Sequence, residues 1–439
     1  MLARSVTLNV LGNVGSMVVG LFGAVALARW LGPSDRGLLG IMLSVVDLAM
    51  AVGSLGIPFA VVYYASRADA PTRALLGNSL VCGALLGVVV VAAAWLLTEP
   101  IADLFGRGRG GEDWILAAAL VPLAFFDYTS HNQLLGQLRF ARFNILTILS
   151  KVVGVVGIVV LIGFLGLGVA GGLLATAAGS LVFIVGSLRV ILQSGPPRID
   201  LGLLRKMLHY GRRVQLGSVF QLANTRLDVL ILGLFLPLSD VGFYVVAQSV
   251  AELVLVLGRS FQSSVLPLVA HYEGEERQAV TTETAMRNHG LIAAATTVAN
   301  AAFGTLLIVF AYGAEFHPAI VPMLILLPGI WFLSTGTVVG GDLRGRGRPG
   351  LSSALAGLAV IVTVVLDLLL IPSLGLPGAA LASLAAYTVY GASSLIALAK
   401  VSAIPLRRLT IPTRQDLALY GRAARRGLAG LRRRRLDDA

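Results

Sequence analysis

Five ionisable residues lie where ionisable residues are most costly. Asp47, Arg226, Asp228, Glu252 and Arg259 all interrupt long apolar runs, and a charge at a bilayer centre costs roughly 2.5 to 3.5 kcal/mol on insertion scales. Such groups line a wet cleft or pair within it; they do not face lipid. Two readings account for them. In the first, Arg226 and Arg259 receive an anionic group such as a diphosphate, which a guanidinium fork meets with several donors at once. Asp47, Asp228 and Glu252 then take up protons or cations to release it. In the second, the acids and arginines neutralise one another and tie helices together. Glu252 and Arg259 are spaced by nearly two helical turns and so share a face.

Other candidates sit at the edges of the runs. In "ARWLGPSDRGLLG", Arg29, Asp35 and Arg36 fall in what reads as a turn. Arg29, at the membrane boundary, is expected to touch an anionic ligand as it leaves, and Arg36 to act through solvent-screened attraction; a plain solvated turn is the alternative. The stretch "DYTSHNQ" puts Asp127 and His131 one helical turn apart, as a proton relay or a packing pair. Asn9 and Asn13 share a face of the first run, for cleft lining or interhelical hydrogen bonding. Tyr63 and Tyr64 read as interfacial aromatics. Pro58, Pro122, Pro322 and Pro328 interrupt helices as hinges or are simply tolerated there. The single cysteine, Cys82, excludes a disulfide frame and a cysteine-based metal site.

The elements that position these residues are membrane helices. The 439 residues are 56% hydrophobic and 13% charged, with a mean hydropathy of +0.86, too apolar for one soluble core. About twelve runs are long enough to span, at roughly 5–29, 38–64, 75–98, 114–135, 145–165, 168–192, 214–237, 242–269, 289–312, 319–341, 351–372 and 377–399. Alternate connections, such as "SRADAPTR", "GQLRFARFN" and "DLRGRGR", are strongly basic and hold about 28 of the 34 Lys and Arg. That bias places both termini in the cytoplasm and the Arg29–Arg36 segment outside. The net charge of +12 thus follows from topology rather than from a nucleic-acid surface.

The chain also resembles itself at an offset of about 205 residues. "LGPSDRGLLGIMLSV" lies over "LPLSDVGFYVVAQSV", "FLGLGVAGGLLATAAG" over "SLGLPGAALASLAAY", and Asp47 over Glu252. The expected architecture is all-helical, with two pseudo-symmetric six-helix lobes around a central cavity. The lobes are 1–195 and 213–400, with a basic cytoplasmic linker at 196–212 and a basic tail at 401–439. Because each half holds an even number of spans, the pseudo-twofold axis runs along the membrane normal.

Several stretches carry a family resemblance. "LARWLGPSDRG", "LGIPFAVVYYASR", "LRFARFN" and "LLIPSLGLPGAALAS" are similar to oligosaccharide flippases of bacterial polysaccharide biosynthesis, within the multidrug, oligosaccharidyl-lipid and polysaccharide exporter superfamily. The resemblance covers about residues 1 to 400 through loose glycine, proline and arginine patterns. It implies a multi-pass protein of the bacterial cytoplasmic membrane that moves an undecaprenyl-diphosphate-linked oligosaccharide from inner to outer leaflet by alternating access. A lipid II flippase of the same superfamily would be expected to carry two further C-terminal helices.

No phosphate-binding glycine loop ends in Lys-Ser/Thr, no metalloprotease helix motif occurs, and the 98–113 connection is too short to hold an active site. The expectation is a transporter without cofactor and not an enzyme, with coupling to protons, to sodium or to the membrane voltage alone left open. Its expected partners are the polyprenyl-diphosphate-linked glycan, anionic lipids at the basic loops and tail, and polysaccharide-assembly proteins. A cation-coupled multidrug exporter and a membrane scaffold of an envelope-synthesis complex are the competing classes. Arginines in the cavity disfavour the first; the second would need the basic tail and not the cavity.

Overall fold

In lipid an unpaired backbone amide costs several kcal/mol, so a spanning segment satisfies its own amides by coiling into a helix. The computed structural model describes residues 2–67, 71–106, 111–255 and 275–413, which form helices and, among these residues, no strand. In chain order the helices are α1 (Leu2–Gly53), α2 (Ile57–Ser66), α3 (Thr72–Gly106), α4 (Gly111–Gly136), α5 (Phe140–Gly157) and α6 (Gly168–Ile191) in the first half. The second half holds α7 (Leu201–Ala223), α8 (Leu227–Phe235), α9 (Leu238–Ala251), α10 (Glu275–Leu306), α11 (Ile320–Gly345), α12 (Pro349–Leu374), α13 (Leu376–Ser402) and the short α14 (Leu406–Thr410).

Among the described residues eight helices are long and apolar enough to cross a membrane, and α7 with α8, bent by 43° at their break, makes nine when the pair is counted as one span. Counting α1 twice and adding α4 and α9 brings the total to twelve. The double count of α1 has a local cause. Gly32 alone leaves helical geometry, at φ 68 and ψ 176, a left-handed position that suits glycine. Pro33 then supplies a preset φ for the first position of the next helix. Helix therefore resumes at once, and Ser34, Asp35 and Arg36 form a first helical turn, not the solvated turn read from the sequence. The expected 196–212 linker is likewise helical from Leu201, where Asp200 caps α7 by accepting the Leu203 amide at 2.9 Å. Pro122 and Pro328 are carried inside continuous helices.

Helices α1 to α6 pack among themselves, as do α7 to α13. The two halves meet chiefly along α1 and α9. A methyl group added at Gly37 would stand 1.9 Å from the Leu238 carbonyl oxygen, and one added at Gly242 would stand 1.9 Å from that of Pro33. These four positions are pairs under the same offset, so the seam is a pseudo-twofold contact with the same groups exchanged. Without a hydrophobic drive between helices in lipid, close approach of small residues is what holds such a seam. At the opposite, basic end, Gly56 lies against the Gly211 backbone. Gln215 there donates to the Ala51 carbonyl and, at 3.2 Å, reaches the Ser54 hydroxyl.

Candidate functional site

Between these two seams α1 and α9 diverge around a cavity of about 300 Å³. Its walls are Arg36, Gly40, Leu43, Ser44 and Asp47 of α1, Thr176 of α6, Arg226 and Val229 at the start of α8, and Val245, Gln248, Ser249 and Glu252. Gly40 with Val245, Leu43 with Gln248, Ser44 with Ser249 and Asp47 with Glu252 are repeat partners, so both lobes present corresponding helix faces to one space. Four of the sequence candidates behave differently here. Asp47, Arg226 and Glu252 share the cavity; Asp228 does not line it.

Arg226 owes its position to a broken helix. Helix α7 stops at Ala223, and the break is held by Thr363, which donates to the Asn224 side-chain oxygen at 2.7 Å, and by Gln248, which donates to the Thr225 carbonyl at 3.0 Å. Arg226 then precedes α8, and its Nε reaches Asp47 Oδ2 of the other lobe at 3.1 Å. Both side chains stay about one third exposed to the cavity. With that much of each side chain open to the cavity, a second anion can approach and take Arg226 from Asp47.

Arg36 is the cavity's second cation. It is only 8% exposed, and its Nε has no hydrogen-bond partner among the described residues. The hydroxyl of the neighbouring Tyr312 is also without one. A buried guanidinium so placed is poised to meet an acceptor. Arg29 lies outside the lining. It crosses to the second lobe, donating from Nε to the Ala311 carbonyl at 2.5 Å and from Nη2 to Phe310 at 3.1 Å. These carbonyls belong to the π-helical turn Leu307–Tyr312 that continues α10. The difference from expectation follows from Gly32: the helix restart aims Arg36 inward and leaves Arg29 beside the partner lobe. Arg259 lies outside the described residues.

Asp228 sits in a buried cluster inside the second lobe. Its carboxylate accepts from the Tyr244 hydroxyl at 2.7 Å, the Ser383 hydroxyl at 3.3 Å and the Val229 amide at 2.8 Å. Asp367 of α12 stands within electrostatic reach, fully buried, with both oxygens unpartnered among the described residues, as is the Tyr387 hydroxyl. Two carboxylates in such a space call for protons or a small cation. Sequence reasoning missed Asp367, although a lone acid in "TVVLDLLL" is a signal in its own right. Asp127 and His131 lie in the first lobe outside the cavity lining, with His131 Nδ1 3.6 Å from Asp127 Oδ1 and the imidazole flat on Phe183 at 3.4 Å between ring centroids.

The profile of a family described as polysaccharide biosynthesis protein matches residues 26–321, well over half of the chain. Among curated relatives, the probable low-salt glycan biosynthesis flippase of Haloferax volcanii is 23% identical over 393 residues, 88% of this chain and 81% of that protein. Among solved structures, an inward-facing multidrug transporter of the multidrug, oligosaccharidyl-lipid and polysaccharide exporter superfamily superposes with a TM-score of 0.72 at 18% identity. That match covers 92% of this chain and 99% of the other. A lipid II flippase in an inward closed conformation gives the same TM-score at 17% identity, covering 92% and 89%. The fold is that of this superfamily.

Proposed function

The chain belongs to the polysaccharide biosynthesis protein family, and from that premise we propose that it is a flippase for a polyprenyl-diphosphate-linked oligosaccharide. In this reading it works in the bacterial cytoplasmic membrane with both termini in the cytoplasm, and carries an undecaprenyl-type lipid from the inner to the outer leaflet. The observation that carries the proposal is the cavity shared by the two lobes, in which Arg36 and Arg226 face the repeat-related acids Asp47 and Glu252. A bare cationic substrate would meet two guanidinium groups there; a diphosphate would be held by them. The name of the Haloferax volcanii relative, a glycan biosynthesis flippase, supports the substrate class.

The mechanism follows from the pairs. At rest Arg226 spans the lobes to Asp47. An arriving diphosphate takes Arg226 by charge-assisted, bidentate hydrogen bonds, which frees Asp47 and dissolves one interlobe tie. Arg36, deeper toward the Gly37–Gly242 seam, receives the second phosphate. The prenyl tail stays in lipid. A cavity of about 300 Å³ is at the lower end for small-molecule sites, so an attached glycan is accommodated only as the lobes part. Outward release needs the headgroup to lose Arg226 again, and re-formation of the Arg226–Asp47 pair provides the competing anion. Protons or sodium at Asp47, Glu252 and the Asp228–Asp367 cluster then bias which lobe arrangement is favoured. The domains act as two rocking lobes, 1–195 and 213–400.

The test is flipping of a fluorescent lipid-linked glycan in reconstituted vesicles, read by a lectin that reaches only the outer face. Arg226→Gln should slow flipping at least tenfold and Arg226→Lys should restore part of it. Undiminished flipping by a chain carrying both Arg226→Gln and Arg36→Gln would remove the basis of the proposal.

A further inference from the structure

We propose that the groove between the end of α2 and the first turns of α7 is a loading site for the diphosphate headgroup of a prenyl lipid, occupied before the central cavity. The inference rests on the flippase reading above and adds a second binding place to it. The groove encloses about 650 Å³. On α7, Arg205, Lys206, His209, Arg212 and Arg213 recur at helical spacing along one exposed face. Among the described residues none of the three arginines, nor Lys206, has an acidic partner or a side-chain hydrogen bond. Uncompensated cations this close together repel one another and favour a polyanion.

The opposite wall fixes the depth of the site. Tyr63 and Tyr64 come from α2, and Tyr63 stacks on Tyr210 with 4.2 Å between centroids. The Arg67 guanidinium lies 4.5 Å from the Tyr63 ring centroid, a cation–π contact that holds the ring in place. Tyrosines of a membrane protein concentrate at headgroup level, where lipid phosphates are. Leu201, Leu204 and Leu208 line the same groove, so a chain-bearing anion finds an apolar wall beside the basic one. The four cations Arg205, Lys206, Arg212 and Arg213 exceed what a single phosphodiester neutralises and match a diphosphate better.

The groove is also placed for loading. The Gly56–Gly211 crossing and the Gln215 contacts to Ala51 and Ser54 separate it from the cavity. A headgroup in the groove therefore waits outside the seam that must part to admit it. Its charge is already matched, so transfer into the cavity exchanges one set of guanidinium partners for another without full exposure to lipid.

The experiment uses the full chain in phosphatidylcholine nanodiscs with a photoactivatable polyprenyl diphosphate, and a photoactivatable phosphatidylglycerol in parallel. Crosslinked peptides are identified by mass spectrometry. The diphosphate probe should label peptides covering 57–67 and 201–213 at concentrations at least tenfold below those the phosphatidylglycerol probe needs. Combining Arg205→Gln, Arg212→Gln and Arg213→Gln should weaken that labelling about a hundredfold, from the attraction of three interfacial cations. These side chains are exposed, and Tyr210→Ala provides a second variant that disturbs the wall without touching the charges; it should reduce labelling as well. Equal labelling by the two probes, or none on these peptides, overturns the proposal. Flipping without groove labelling refutes this site alone, whereas groove labelling without any flipping refutes the transport reading instead.

Discussion

Substituting Gly242 by alanine puts one methyl group into the seam that closes the cavity at its Gly32 end. The added carbon would stand 1.9 Å from the Pro33 carbonyl oxygen and 2.8 Å from its carbon. Ordinary contact for such a carbon begins at 3.4 Å, so the two backbones must separate by about 1.5 Å or the helices must rotate. Both contact atoms are backbone, and neither can swing away as a side chain would. Overpacking of this kind costs about 1 to 3 kcal/mol. Charged to the closed arrangement alone, about 2 kcal/mol shifts the closed-to-open ratio roughly thirtyfold toward opening at that end. The assay is labelling of Ser44→Cys, a cavity residue, by an impermeant maleimide in a chain whose Cys82 has been replaced by alanine. Labelling from the Gly32 side should be slow in the parent and faster by about the same factor with Gly242→Ala. Gly37→Ala should behave alike, because its methyl group meets the Leu238 carbonyl at the same 1.9 Å. Unchanged labelling in both variants would refute the seam as the closing contact, and an effect of only one would contradict its pseudo-twofold character.

The cavity and its flanks yield further expectations. Arg36→Ala should lower headgroup binding about tenfold or more while leaving protein level intact, and Arg36→Lys should recover it in part, measured with a polyprenyl diphosphate in nanodiscs; equal binding in all three would return Arg36 to a packing role. Asp367→Asn should flatten the proton or sodium dependence of flipping, as should Asp47→Asn and Glu252→Gln, and unaltered ion dependence in every one of them would exclude these acids from coupling. Arg29→Ala should raise maleimide access from the Gly32 side by a few-fold through loss of its bonds to Phe310 and Ala311, with headgroup affinity unchanged. Labels at Asp35 should be reachable from outside and labels at Arg205 should not; the reverse would invert the direction of transport.

How much of this was legible in the sequence depended on whether a residue's setting repeats. Asp47 and Glu252 were matched because the offset that aligns "LGPSDRG" with "LPLSDVG" carries helical register with it, and register decides which face meets the cavity. Arg36 was misjudged for a local reason: a glycine followed by proline looks like a turn, yet one left-handed residue suffices to redirect the chain before helix resumes. Arg29 makes its contacts more than 280 residues away in sequence, which no local pattern encodes. Asp367 falls on apolar Ile158 when "FLGLGVAGG" is laid over "SLGLPGAAL", so a search for matched acids passes over it. The break at Asn224–Arg226 depends on Thr363 and Gln248 from other helices, and tertiary partners of that kind leave no periodic trace. The groove at α7 was visible only as a basic segment until the tyrosines of α2 were placed against it.

The central claim is that the shared cavity is built for an anionic lipid headgroup. It is tested most directly by native mass spectrometry of the chain presented with a polyprenyl-diphosphate-linked oligosaccharide and a lipophilic organic cation in competition. The account predicts that the glycan lipid is retained, that the cation does not displace it, and that the combination of Arg36→Gln with Arg226→Gln abolishes its retention. Preferential binding of the cation, or glycan-lipid retention that ignores both arginines, would contradict it.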